Sequence, residues 1–241
     1  MSLPENAIQD MSSWDFAVPA RHHIPTEPGA IDWNYDPGEI AADGVIHLTG
    51  VCLGLIAGPL LIVLSVVSAT LLSIVAVVVY VWGLLSMLTL SAAFNLWPVC
   101  HTKWLLRRMD HSAIFLLIAA TYTPFVVDLK SGAVAAEFLI GIWSAAALGV
   151  LMKLFCPGRF DRLSVGFYLL MGWSGLVLFQ DANAFLPPEE LWLVMIGGAF
   201  YTIGVVFHLW EQLRFQNAIW HFFVLLGASC HYAAVLQLVL R

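Results

Sequence analysis

The chain is predicted to be an all-α integral membrane protein with seven transmembrane helices, its N-terminus cytoplasmic and its C-terminus outside. Three observations carry that reading: the composition, the number of long apolar segments, and the uneven placement of lysine and arginine. Of 241 residues, 61% are hydrophobic and 11% charged, with mean hydropathy +0.86. A soluble domain is about half apolar and about a quarter charged, so this composition excludes one.

Stretches of roughly 20 apolar residues, the length that crosses ~30 Å of hydrocarbon, fall at 45–67, 70–97, 111–127, 133–154, 164–180, 191–210 and 218–240. The second is long enough to require tilt. Connections are short, which makes neighbouring helices antiparallel. Gly50, Gly54 and Gly58 form a small-residue stripe on the first span that lets another helix approach closely. Pro59 and Pro124 are expected kinks, tolerated where neighbours satisfy the freed carbonyls. The four cysteines, Cys52, Cys100, Cys156 and Cys230, lack C-x-x-C spacing and read as free thiols.

With the N-terminus in the cytoplasm, Arg21, Lys103, Arg107, Arg108, Lys153, Arg159, Arg162 and Arg214 lie inside, and only Lys130 and Arg241 outside. This satisfies the positive-inside rule. Trp97, Trp104, Trp210 and Trp220 then gather at the cytoplasmic interface, where indoles concentrate.

Residues 1–44 form a separate cytoplasmic tail ahead of a membrane domain at 45–241. The tail sets Glu5, Asp10, Asp15, Glu27, Asp32, Asp36, Glu39 and Asp43 against Arg21. It lacks the basic start and apolar core of a cleavable signal peptide. Its acidity argues against nucleic acid and anionic headgroups as partners. Trp14, Phe16, Trp33 and Tyr35 alternate with Pro19, Pro25, Pro28 and Pro37, so the tail is expected to dock on its own basic loops or to anchor a partner protein. His22 and His23 read as solvated, and Asp43 with Glu39 as capping residues for the first helix.

Polar side chains inside spans mark functional positions. Ser91 and Asn95 on the second span, Asp110 and His111 opening the third, and Asn217 and His221 opening the seventh fall at one level. The i, i+4 spacing sets Ser91 with Asn95 and Asn217 with His221 on single helix faces. His47 and His208 fall near the same level. His231 points some 80° away from His221 at 100° per residue and reads as a core histidine bonded to a neighbouring helix. Glu137 lies near the opposite face, within reach of water.

The words around these residues, LSAAFN at 90–95, RRMDHSAIFLLIAATYTPF at 107–125 and NAIWHFFVLLGASCHYAAVL at 217–236, resemble the signature stretches of the hemolysin III family. That family is the bacterial branch of the progestin and adipoQ receptor family. The resemblance spans about 39–240 and implies a bacterial inner-membrane protein with its N-terminus inside. It also implies a zinc ion on three histidines, an aspartate beside the metal-bound water and a serine close by. Relatives are linked to hydrolysis of ceramide-type amides, and distant ones to ligand reception.

Transferred residue by residue, Ser91, Asp110 and His221 match, whereas Asn95 and Asn217 stand where the family has histidine. Amide oxygen is a weak zinc donor. Three readings follow: a metal-free hydrogen-bonded network of Ser91, Asn95, Asp110, Asn217 and His221; zinc held by His221, Asp110 and a borrowed His47, His111 or His208; or a hard cation on the oxygen-rich set. The first makes the chain a non-enzymatic protein with no cofactor, acting in membrane lipid homeostasis or as a subunit of an assembly. The second makes it a zinc-dependent lipid amide hydrolase in which Ser91 and Asp110 are the catalytic candidates. A ligand-responsive receptor is the third functional alternative. No span carries a continuous polar stripe, so pore formation is not expected.

Overall fold

The structure, a computed structural model, describes residues 35–129, 132–156, 160–176 and 187–241. The expectations for Arg21, His22, His23, the tail aromatics before Tyr35, Lys130, Arg159 and the end of the fifth span lie outside the described residues. Among these residues there are seven helices and no strand: α1 (Pro37–Ser68), α2 (Leu71–Leu96), α3 (His101–Val127), α4 (Gly132–Phe155), α5 (Asp161–Trp173), α6 (Pro188–Leu209) and α7 (Gln216–Leu240). All except α5 are long and apolar enough to cross a bilayer. The described part of α5 has 13 residues, short of the roughly 20 that a crossing needs.

Helix α1 begins eight residues before the apolar segment does. The cause is local: Asp36 is its N-cap, Pro37 occupies the first turn, and Asp36 and Glu39 form a reciprocal capping box at 2.9 Å in each direction. Capping therefore falls to Asp36 and Glu39. Asp43, expected to cap, lies inside the helix and is buried, and its role is different. Glu39 also accepts the backbone N–H of Phe215 at 3.0 Å. Phe215 holds the left-handed conformation that opens α7, so the first turn of α1 pins the α6–α7 turn.

Successive helices pack as neighbours from α1 to α4, α6 packs on α7, and α7 returns against α1, with α5 touching α3, α4 and α6. The glycine stripe sets the α1–α2 distance. A Cβ on Gly54 would stand 2.6 Å from Leu88 Cδ1, and one on Gly58 2.8 Å from Val81 Cγ1. Tyr80, Val77 and Leu84 of α2 join Leu61 of α1, Leu117 of α3 and Val235 of α7 in one apolar cluster, while Phe115, Ala119, Ile142, Ala146 and Met171 form a second between α3, α4 and α5.

Helix α3 is the least apolar of the six long helices and the most enclosed. Lys103, Arg107, Asp110, Ser112 and Thr123 are buried in protein, the placement that hydrocarbon enforces. Arg107 and Lys153, both buried, converge on Asp161 at 2.5 and 2.7 Å. Lys103 reaches the carbonyls of Asn95 and Trp97 at 3.2 and 2.7 Å, satisfying acceptors that the end of α2 would otherwise leave open. Pro59 and Pro124 lie within continuous α1 and α3, and all four cysteines are free thiols.

Candidate functional site

The polar groups meet where α1, α2 and α7 come together at one end of the bundle. Asp43 and His47 share a face of α1, being four residues apart, and α7 presents Asn217 and His221 toward them. His221 Nδ1 is 2.6 Å from Asp43 Oδ1, and Asn217 Nδ2 donates to Asp43 Oδ2 at 2.9 Å. His47 Nε2 lies 3.4 Å from Asp43 Oδ2 without hydrogen-bond geometry, and its ring centroid is 4.4 Å from that of His221. All three potential ligands are enclosed: Asp43 is 6% exposed, His47 7% and His221 9%. A carboxylate with so little water persists only when paired.

Asn217 also donates to Asn95 Oδ1 at 3.0 Å, and Asn95 donates to the Ser91 carbonyl at 2.9 Å. These contacts chain α7 to α2 on one side and to α1 on the other. Asp110, buried on α3, lies beside the Ser91 hydroxyl and within electrostatic reach of His221 and Asp43. The structure thus brings Ser91, Asn95, Asp110, Asn217 and His221 into one neighbourhood and adds Asp43 and His47. His111 sits at the edge of this group and lines the same cavity: its Nδ1 pairs with the Arg107 carbonyl of its own helix at 2.7 Å and lies 3.9 Å from Asp110 Oδ2. His208 packs against Trp220 with the rings tilted, 5.0 Å between centroids. His231 lies 3.2 Å from the Val194 carbonyl of α6 and fills the notch left by Gly197, the core role its register implies. Glu137 is exposed on α4.

The cluster opens onto a cavity of about 210 Å³ enclosed by α2, α3, α5, α6 and α7. Asn95, Asp110, Asn217 and His221 line its polar end, and Ile118, Leu169, Met195 and Phe125 its apolar length. One water needs only about 10–15 Å³ by the same kind of measure.

A family model described as Haemolysin-III related matches residues 41–232. The chain belongs to this family. The Hemolysin-3 homolog of Bacillus subtilis is 34% identical over 200 residues, covering 82% of this chain and 93% of that protein. Hemolysin-3 of Bacillus cereus is 36% identical over 204 residues, covering 84% and 92%. The human Monocyte to macrophage differentiation factor is 29% identical over 169 residues, covering 68% and 70%. No solved structure matches the chain.

Against the zinc site that the Haemolysin-III resemblance implies, the two asparagines fit poorly. Asn95 Oδ1 already accepts from Asn217, and the Asn217 amide nitrogen is committed to Asn95 and Asp43. Only His221 offers imidazole at those positions. The donors that do converge in this Haemolysin-III-related chain are Asp43, His47 and His221, whose candidate ligand atoms all lie within 4.8 Å of one another. Sequence reading named His47 as a borrowed ligand but assigned Asp43 elsewhere. The signal was present in Asp43-x-x-x-His47, an i, i+4 pair of metal-ligand type.

Proposed function

We propose that the chain is a non-enzymatic, multi-pass lipid-binding protein of the bacterial inner membrane, acting in lipid homeostasis or as a subunit of a membrane assembly. It has seven spans, with its N-terminus cytoplasmic and its C-terminus outside. The supporting observation is the shape of the cavity, an apolar chamber of about 210 Å³ that ends on Asn95, Asp110, Asn217 and His221. Such a chamber suits an amphiphile whose acyl chain lies among Ile118, Leu169 and Met195, with its head bonding the polar end. The amide, carboxyl and imidazole groups there suit a head that both donates and accepts hydrogen bonds.

The test is the lipid retained through purification. Extraction and mass spectrometry of wild type are expected to yield a co-purifying lipid at near-stoichiometric ratio. Ile114→Trp, which fills the lining one turn beyond Asp110, is expected to lower retention at least tenfold. Equal lipid in both proteins sinks the proposal.

A second reading, a metal-dependent hydrolase of a lipid amide or ester, is supported by a buried carboxylate and two imidazoles close to Ser91 and Asp110. Release of fatty acid from a ceramide-type amide by purified protein, abolished in Asp110→Asn, is the result it requires. Absence of turnover with metal supplied retires it.

A further inference from the structure

We infer that Asp43, His47 and His221 form a divalent transition-metal site of zinc type, displaced onto α1 from the positions where the family's histidines would stand. The inference goes beyond the lipid reading and does not rest on it. Its first support is donor chemistry, since two imidazoles and one carboxylate are a common zinc set that leaves a fourth position open.

Its second support is spacing. In a tetrahedral site with metal–ligand bonds of ~2.0 to 2.1 Å, two ligand atoms stand about 3.3 to 3.4 Å apart. Asp43 Oδ2 and His47 Nε2 are separated by 3.4 Å. The third donor needs an adjustment: His221 Nδ1 pairs with the other carboxylate oxygen, Asp43 Oδ1. With one ligand atom from each residue, the three lie within 4.8 Å of one another, so no remaining edge need close by more than about 1.5 Å. The hydrogen that bridges His221 Nδ1 and Asp43 Oδ1 must leave Nδ1 for the cation to bind there, and in a neutral imidazole it moves to the other ring nitrogen, Nε2.

The third support is an unmet group. His47 Nε2 is buried without a hydrogen-bond partner, although a membrane interior penalises any unpaired polar atom. It borders a cavity of about 20 Å³ lined also by Ser91 and His221, room for about one water-sized sphere. Asn217, itself held by Asn95, donates to the Asp43 carboxylate and fixes its orientation as outer-shell partners of metal ligands do. The two asparagines therefore become supports for ligands rather than ligands. The site would clamp α1 to α7.

Purified full-length protein in detergent, stripped by chelator, is titrated with Zn²⁺ and separately with Co²⁺. One zinc per chain by elemental analysis, tetrahedral-type visible absorption from cobalt, and a raised unfolding midpoint with zinc are expected in wild type. Asp43→Asn and His47→Gln should each lose all three responses, and Asp110→Asn should keep them. A cooperative unfolding transition of metal-free His47→Gln, matching that of stripped wild type, shows that its loss is not misfolding. The inference is overturned if wild type takes up less than about 0.1 equivalent, or if His47→Gln binds as wild type does. It is overturned equally if Asp110→Asn abolishes binding. Lipid retention without metal uptake removes this inference alone, whereas metal uptake without retained lipid removes only the lipid reading.

Discussion

Replacing Gly83 by alanine is a severe change for so small a group. A Cβ at this position would stand 2.6 Å from the Cβ of Ala120, with the Leu116 carbonyl oxygen at 3.5 Å and the Leu117 Cα at 3.6 Å. The blocking atom is fixed to backbone and cannot rotate aside, so α2 and α3 must separate. Overpacking of this kind costs roughly 2 to 3 kcal/mol toward the upper end of its usual range. Alanine's better helix propensity offsets about 1 kcal/mol. The expected net loss is about 1 to 2 kcal/mol, or roughly five- to thirtyfold in the folding equilibrium. Gly141, whose added Cβ meets nothing within 4 Å, is the control, and Gly141→Ala should be neutral or stabilising by up to about 1 kcal/mol. Reversible unfolding in mixed micelles measures both. Equal stability of the two variants, or a stabilised Gly83→Ala, would refute the claim that backbone contact sets the α2–α3 distance.

Two further outcomes follow from polar contacts between helices. Tyr122 donates to the Gly172 carbonyl and accepts the Gly175 N–H at 2.9 Å, so Tyr122→Phe should lose about 0.6 to 2 kcal/mol per bond, read by the same unfolding assay. At Asp161, burial works to raise the carboxyl's affinity for protons, but the Lys153 hydrogen bond and the Arg107 charge win and hold its pKa at about 2. A depressed folded-state pKa contributes stability above the ordinary carboxylate range that is lost as pH falls through that range toward about 2. Unfolding midpoints of wild type should therefore drop between about pH 4 and pH 2 more steeply than those of Asp161→Asn. Parallel pH curves would contradict this account.

Much of the bundle was legible because hydrocarbon imposes length and apolarity on anything that crosses it. The glycine stripe was legible for the same reason, its packing against Leu88 and Val81 following from a lack of side chain. Helix ends were less so. Hydropathy reports where the chain is apolar, not where it is helical, and α1 and α3 run on for eight and ten residues through polar sequence. That shortfall placed Asp43 outside the membrane segment and gave it a capping role. The capping box Asp36–Pro37–Gly38–Glu39 was itself readable and points to the earlier start. What no spacing within α1 or α7 reveals is that the two helices are adjacent. The meeting of Asp43 and His47 with Asn217 and His221 is a product of ring closure, separated by more than 170 positions in the chain.

The knot between Glu39 and the Phe215 amide, flanked by the Asp36–Arg214 ion pair at 3.3 Å, fastens the start of α1 to the far end of the chain. The turn at Asp36–Glu39 is held directly on the bend that launches α7, two residues ahead of Asn217 and six ahead of His221. Loosening that first turn would free the bend as well, so the opening of the first helix and the launch of the last stand or fall together.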